Sequence, residues 1–183
     1  MTNNPNIGPY ATVTGNAHVT ARATVTGNAA VTGNAAVTGT ATVTGHTRVW
    51  GRAHVTGNAT VTGRAQVTDD ATVGGYATVT GTAYVAGNAY IAGTATVTGN
   101  AAIVGYAHIT DTAHVAAREL PGRAGAYTLT LYLTVVPKQI GFTWGCREGV
   151  DLAAWLEQPG YDGLRAAPLA FLTEFKRANG IGA

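Results

Sequence analysis

The chain has 183 residues, a formal net charge of +2 and only 11% charged residues. That charge is too small and too dilute to hold nucleic acid or an acidic membrane surface. A single cysteine, Cys146, excludes an internal disulfide framework, and no stretch nears the roughly 18 apolar residues that a membrane span requires.

Residues 1–10 have no basic segment followed by an apolar run, so they do not read as a signal peptide, and the expected location is the cytoplasm on synthesis. With Pro5, Pro9 and Tyr10, this segment suits an N-terminal cap over the chain from residue 11 onward.

From Val13 to Val115 every sixth residue is Val or Ile, without insertion or deletion. The result is 18 repeats of the form (Val/Ile)-Thr-Gly-Asn-Ala-x, such as Val25-Thr26-Gly27-Asn28-Ala29-Ala30. A six-residue period fits neither helix spacing nor plain two-residue alternation. It is the signature of a solenoid, here a triangular one in which each hexapeptide forms one side. The β-branched residue suits the inward position of a short strand. Ala points inward near the corner, where nothing larger is expected to fit, and Thr47 is the one departure. Gly, often followed by Asn, takes the corner because it accepts left-handed backbone angles cheaply. Three hexapeptides make an 18-residue coil, so residues 11–116 supply six coils, a prism roughly 29 Å tall at strand spacing.

Residues 18 apart stack, which lets the outward columns be read directly. The first side presents Thr12, Ala30, Arg48, Gln66, Tyr84 and Ala102 before its aliphatic residues; the second presents His18, Ala36, His54, Thr72, Tyr90 and His108. The third is regular. It reads Thr24-Val25-Thr26, Thr42-Val43-Thr44, Thr60-Val61-Thr62, Thr78-Val79-Thr80 and Thr96-Val97-Thr98. Those ten threonines form the candidate binding face, and Trp50, Tyr84 and Tyr90 are candidate aromatic contacts.

The repeat resembles the hexapeptide-repeat left-handed β-helix superfamily, although Gly stands one place later than the usual pattern puts it. The runs of Val-x-Gly-Asn-Ala-x resemble a phage and prophage subset whose members carry a small C-terminal α+β cap. The resemblance implies an all-β left-handed parallel β-helix, self-association (often trimeric in the superfamily) and association with a virion. The Thr-x-Thr ladder separately resembles the surfaces of β-helical ice-binding proteins.

The superfamily also contains acyltransferases and zinc carbonic anhydrases, so catalysis has to be weighed. His18, His54 and His108 share a column but lie two and three coils apart, about 10 and 14 Å, too far for one zinc with ligands near 2 Å. No loop breaks the repeats to cover a substrate. His46 and His114 have no nucleophile or orienting partner nearby in sequence. Asp69, Asp70 and Asp111 sit at corners and read as solvated, and Cys146, in step with Phe142 and Trp144, reads as a buried small hydrophobe. The expectation is therefore no enzyme, no metal and no cofactor.

Beyond the repeats, residues 117–126 (Arg118-Glu119-Leu120-Pro121-Gly122-Arg123-Ala124-Gly125 at its centre) read as a linker. Residues 127–183 read as an α+β module. Its strand of Leu129, Leu131, Leu133 and Val135 alternates with polar residues. A hairpin partner runs from Ile140 to Cys146 across Pro137-Lys138-Gln139. Two helices complete it, Val150 to Glu157 and Leu169 to Ala178 after Pro168, with Leu172 and Phe175 as core. A module of about 55 residues has little core of its own and is expected to pack on the last coil or on a neighbouring subunit. The functional expectation is a structural or interaction protein of bacteriophage type. An ice-binding protein and an acyltransferase-like enzyme are the alternatives.

Overall fold

Each hexapeptide folds as a two-residue strand followed by a turn, and the pattern repeats at Thr12–Val13, His18–Val19, Thr24–Val25 and onward to His108–Ile109. The computed structural model describes residues 6–20, 22–110, 114–122, 125–133, 140–144, 147–149, 152–157, 165–178 and 181. Every strand pairs in parallel with the one 18 residues along, as in Thr12↔Ala30 and Val13↔Val31. Three sheets result, the sides of a solenoid: two stack six of these strands each, and the third stacks five and continues into a longer strand, His114–Gly122. Six strands are separated by five 18-residue steps, so the solenoid makes about five turns.

The hydrogen bonds explain why the period is so strict. In each hexapeptide three amides reach the next coil: Thr12 N–H donates to Ala29 O (2.9 Å), Thr14 to Val31 (3.0 Å) and Asn16 to Gly33 (2.7 Å). One inserted residue would shift all later donors and turn the inward side chains outward. The interior is a single column of Val, Ile and Ala, from Ala23 through Ile103, at zero or near-zero exposure. Thr47 lies in that column at 0% exposure. The inward corner position therefore holds a side chain larger than Ala, contrary to the sequence expectation. Its Oγ1 finds no hydrogen-bond partner there.

At the first coil, Ala11, Val13, Ala17 and Val19 are only partly buried. Residues 6–8 add one more rung beneath the threonine side: Ile7 bridges Val25 in parallel, Gly8 N–H donates to Val25 O (2.8 Å) and Val25 N–H to Asn6 O (2.9 Å). Residues 6–8 thus lie along the edge of the first coil on one of three sides.

At the other end the expected linker is absent as such. His114–Gly122 is one nine-residue strand. Its first residues pair with Thr96–Val97 of the solenoid, and its remainder pairs antiparallel with Gly125–Leu133. Ile140–Trp144 and Arg147–Gly149 follow, also antiparallel, so the threonine side grows into a nine-stranded sheet. Composition suggested a break because Pro and Gly accumulate there. The backbone instead continues a sheet edge whose unpaired amides and carbonyls demanded partners. The hairpin turn at residues 137–139, Cys146, Asp111 and the loop before the second helix lie outside the described residues.

Two helices complete the tail, α1 (Leu152–Leu156) and α2 (Ala166–Ala178). Leu131, Phe142, Leu152, Leu156, Phe171 and Phe175 form a second core, with Leu172 only at its margin. Leu172 and Phe175 were the sequence expectation; Phe175 is buried as expected, but its buried companion on α2 is Phe171, four residues earlier on the same face, rather than Leu172. At Thr130 and Leu131, both 0% exposed, the Gly125–Leu133 strand is buried on both of its sides. Its hydroxyl accepts the Ala102 N–H (2.9 Å), an amide of the top coil on the first side.

Candidate functional site

The ten threonines assemble as their spacing required. Thr24 pairs with Thr42, Thr42 with Thr60, Thr60 with Thr78 and Thr78 with Thr96, so the column before the valines runs in register through five coils. The column after the valines, Thr26 to Thr98, runs beside it about 6.6–7 Å away, with rungs about 4.8 Å apart. Side by side, the threonines shield one another. Only Thr98, at the last rung, is exposed, while the other nine are half-buried. Thr26 Oγ1 donates to Thr44 Oγ1 (3.1 Å), bridging two rungs. None of the ten positions carries charge, and the nearest cations (Arg22, Arg64) stand at the flanking corners.

Strand parity decides the surroundings of the last rung. Val115 faces the solenoid core. Position 116 therefore belongs to the outer side, and Leu131 is registered opposite it. Phe142 is registered opposite Leu131. The second core built on Leu131 and Phe142 is thus on the outer side of the sheet, and α1 and α2 lie there. Thr130, one residue out of phase, points the other way onto the solenoid end. The helices and the threonine ladder therefore share one side of one continuous sheet.

The other two sides are less regular. Tyr84 and Tyr90 flank the Gly87-Asn88 corner on adjacent sides and are 37% and 40% exposed. Trp50, on the first side, is half-buried. Tyr90 stacks on His108 of the next coil, ring centroids 4.9 Å apart and planes within 11°. The sequence column already placed those rings on consecutive rungs, but only the structure shows them in contact. Tyr76 and Tyr106 at the corners are more exposed still, at 67% and 78%.

The acidic corner resolves into local roles. Arg52 grips Asp70 through two contacts of 2.8 Å, and Asp69 adopts a left-handed φ of 58° where the other described corners have Gly. Its carboxylate accepts the Gly87 N–H of the next coil (3.0 Å). Among the described residues no group of three or more His, Cys, Asp or Glu is placed to hold a metal ion. His18, His54 and His108 stand on one sheet in separated strands. No described helix is long and apolar enough to cross a membrane.

The chain matches no protein-family model, no curated protein and no solved structure. Its likeness to hexapeptide-repeat proteins rests on the repeat itself.

Proposed function

We propose that this chain is a non-enzymatic assembly component, a rigid left-handed β-helix of the hexapeptide type that docks through its threonine side. The observation that carries this reading is the five-rung ladder in register. It is a flat surface with no charged group to desolvate, and flat uncharged patches of this extent favour contact with another surface. The phage-like run of Val-x-Gly-Asn-Ala-x supports a structural role in a particle. Light scattering of the wild-type chain at micromolar concentration should give a defined oligomer or particle-associated species. Thr60→Tyr, which raises a ring from the middle of the ladder, should dissociate it. A wild-type chain that stays monomeric and joins no particle overturns the reading.

A second reading is favoured by the same array taken as a lattice. Two columns of hydroxyls and methyls, repeating about 4.8 Å one way and 6.6–7 Å the other, suit ordered water at an ice surface. Ice-crystal shaping and thermal hysteresis test it, with Thr60→Tyr abolishing both. Wild-type protein that leaves ice growth unaltered removes this reading.

A further inference from the structure

We propose that the first side of the solenoid binds a saccharide bearing one anionic group. Arg48 and Arg64, with His46 and Gln66, take the anion, and Trp50 and Tyr84 take the sugar rings. The site lies beside the threonine ladder and does not depend on that ladder being a contact face.

Four neighbouring outward positions depart together from the small neutral residues that fill most of the repeat. The His46 N–H donates to Gly63 O (2.7 Å) and the Arg64 N–H to Gly81 O (2.7 Å), which stacks residues 46, 64 and 82 in one corner column. Arg48 is registered beside Gln66, and Gln66 beside Tyr84, in the next column. Rungs lie about 4.8 Å apart and residues two apart along the chain lie at most about 7 Å apart, so the Cα atoms of Arg48 and Arg64 are within about 9 Å. Both arginines and His46 are exposed, and Gln66 is half-buried.

Each of these four side chains can donate an N–H. Among the described residues, neither Arg48 nor Arg64 has an ion-pair or side-chain hydrogen-bond partner, whereas Arg52 holds Asp70 and Arg165 holds Glu157. The described acids of the solenoid, Asp69 and Asp70, stand at the far corner of this side. Asp70 is engaged by Arg52, and Asp69 by the Gly87 N–H (3.0 Å). Two unneutralised guanidiniums this close repel each other. An anion between them replaces that repulsion with charge-assisted contacts, and the guanidinium fork fits carboxylate, sulfate or phosphate in bidentate fashion.

The neighbours say what carries the anion. Trp50 follows Arg48 by two residues and is half-buried; Tyr84 stands above Gln66 and is exposed. Thr68 and Ala86, which share the ground between the rings, are buried, so among these positions only Gln66 stands up between the rings. The rings sit two rungs apart, about 10 Å, and an aromatic face is an apolar platform for the C–H face of a pyranose. Along the corner column the block is flanked by Asn28 below and Thr82 and Asn100 above, neutral hydrogen-bonding groups suited to sugar hydroxyls. A polynucleotide carries a charge on every unit, and cations confined to two rungs would leave most of its phosphates unneutralised. A saccharide with one anionic group among neutral units matches the surface.

The test titrates the full chain, at physiological salt, with trisaccharides that carry a single carboxylate, sulfate or phosphate, each beside its neutral parent. Saturation transfer from protein to sugar protons in NMR reads the binding. At least one charged sugar should bind, about tenfold or more tighter than its parent. Arg48→Gln and Arg64→Gln should each weaken it about tenfold, and Trp50→Ala should weaken it where Trp50→Phe does not. Arg22→Gln removes the same charge from an exposed position at another corner and should change binding by less than about twofold, because exposed charges that far away are screened. Equal losses from Arg22→Gln and Arg64→Gln would mean diffuse attraction and overturn the site. Inorganic sulfate bound as tightly as the sulfated sugar, or an oligothymidylate bound more tightly than every charged sugar, overturns the saccharide as the ligand. No transfer to any charged sugar overturns the proposal outright.

Discussion

Gly81 and Gly99 occupy the same corner one coil apart, with nearly equal left-handed φ values of 76° and 67°. A Cβ on Gly81 would lie 2.6 Å from Gly99 O and 2.8 Å from Gly99 N, whereas one on Gly99 would meet no described atom within 4 Å. The two alanine substitutions thus share their backbone term and differ in the coil above. The left-handed conformation costs a non-glycine residue about 1–2 kcal/mol, and the stiffer unfolded chain returns about 0.4–1 kcal/mol. Gly99→Ala should therefore lose only about 1 kcal/mol. In Gly81→Ala the coils must part by several tenths of an ångström at that corner, which stretches the Thr82 N–H to Gly99 O bond of 2.8 Å. Overpacking of this kind costs about 1–3 kcal/mol and a weakened hydrogen bond about 1 kcal/mol more. The difference between the variants should be about 2–4 kcal/mol, or roughly 5–15 °C in Tm for a chain of this size. Urea unfolding followed by circular dichroism measures it. Equal midpoints for the two variants would refute the view that coil-to-coil contact at the corners is rigid. Asp69 does not contradict it, because its carboxylate recovers an amide of the next coil and alanine cannot.

Three further substitutions probe the same kind of contact. Thr47→Val keeps the shape of a fully buried side chain and removes a hydroxyl with no partner, so it should stabilise the chain by about 1–2 kcal/mol in urea; a loss would mean the hydroxyl is satisfied. Thr130→Val removes the hydroxyl that accepts the Ala102 N–H, which should cost about 0.5–1.5 kcal/mol and speed hydrogen exchange there, with the lower coils unaffected. Asp70→Asn breaks the ion pair with Arg52, whose partners are 42% and 70% exposed. It should change stability by less than about 1 kcal/mol, and a larger loss in the urea midpoint would show that the corner depends on that pair.

The solenoid was legible because its code is local and redundant. A period of six without a break, a β-branched inward residue and a corner glycine each recur so often that Val25, Ala29 and Gly27 could be assigned to their positions from sequence. The threonine ladder was legible for the same reason, since residues 18 apart must stack. Thr47 was misjudged because tolerance at the corner depends on the space left by the two coils around it. The tail was read less well. Pro121 and Gly122 suggested a linker, yet they end a strand that pairs along its length, because an open sheet edge recruits any neighbouring backbone regardless of side chain.

By itself, the sequence determined the repeat, the stacking of the sides and which of them carries the threonine ladder. Only the tertiary structure decided where that side stops. The side of the sheet that α1 and α2 cover depends on the parity of Val115, Leu131 and Thr130 across two strand pairings, and a register between distant strands is written in no local pattern. That parity sets the helices on the same side as the threonines and turns an open ladder into a floor with a wall.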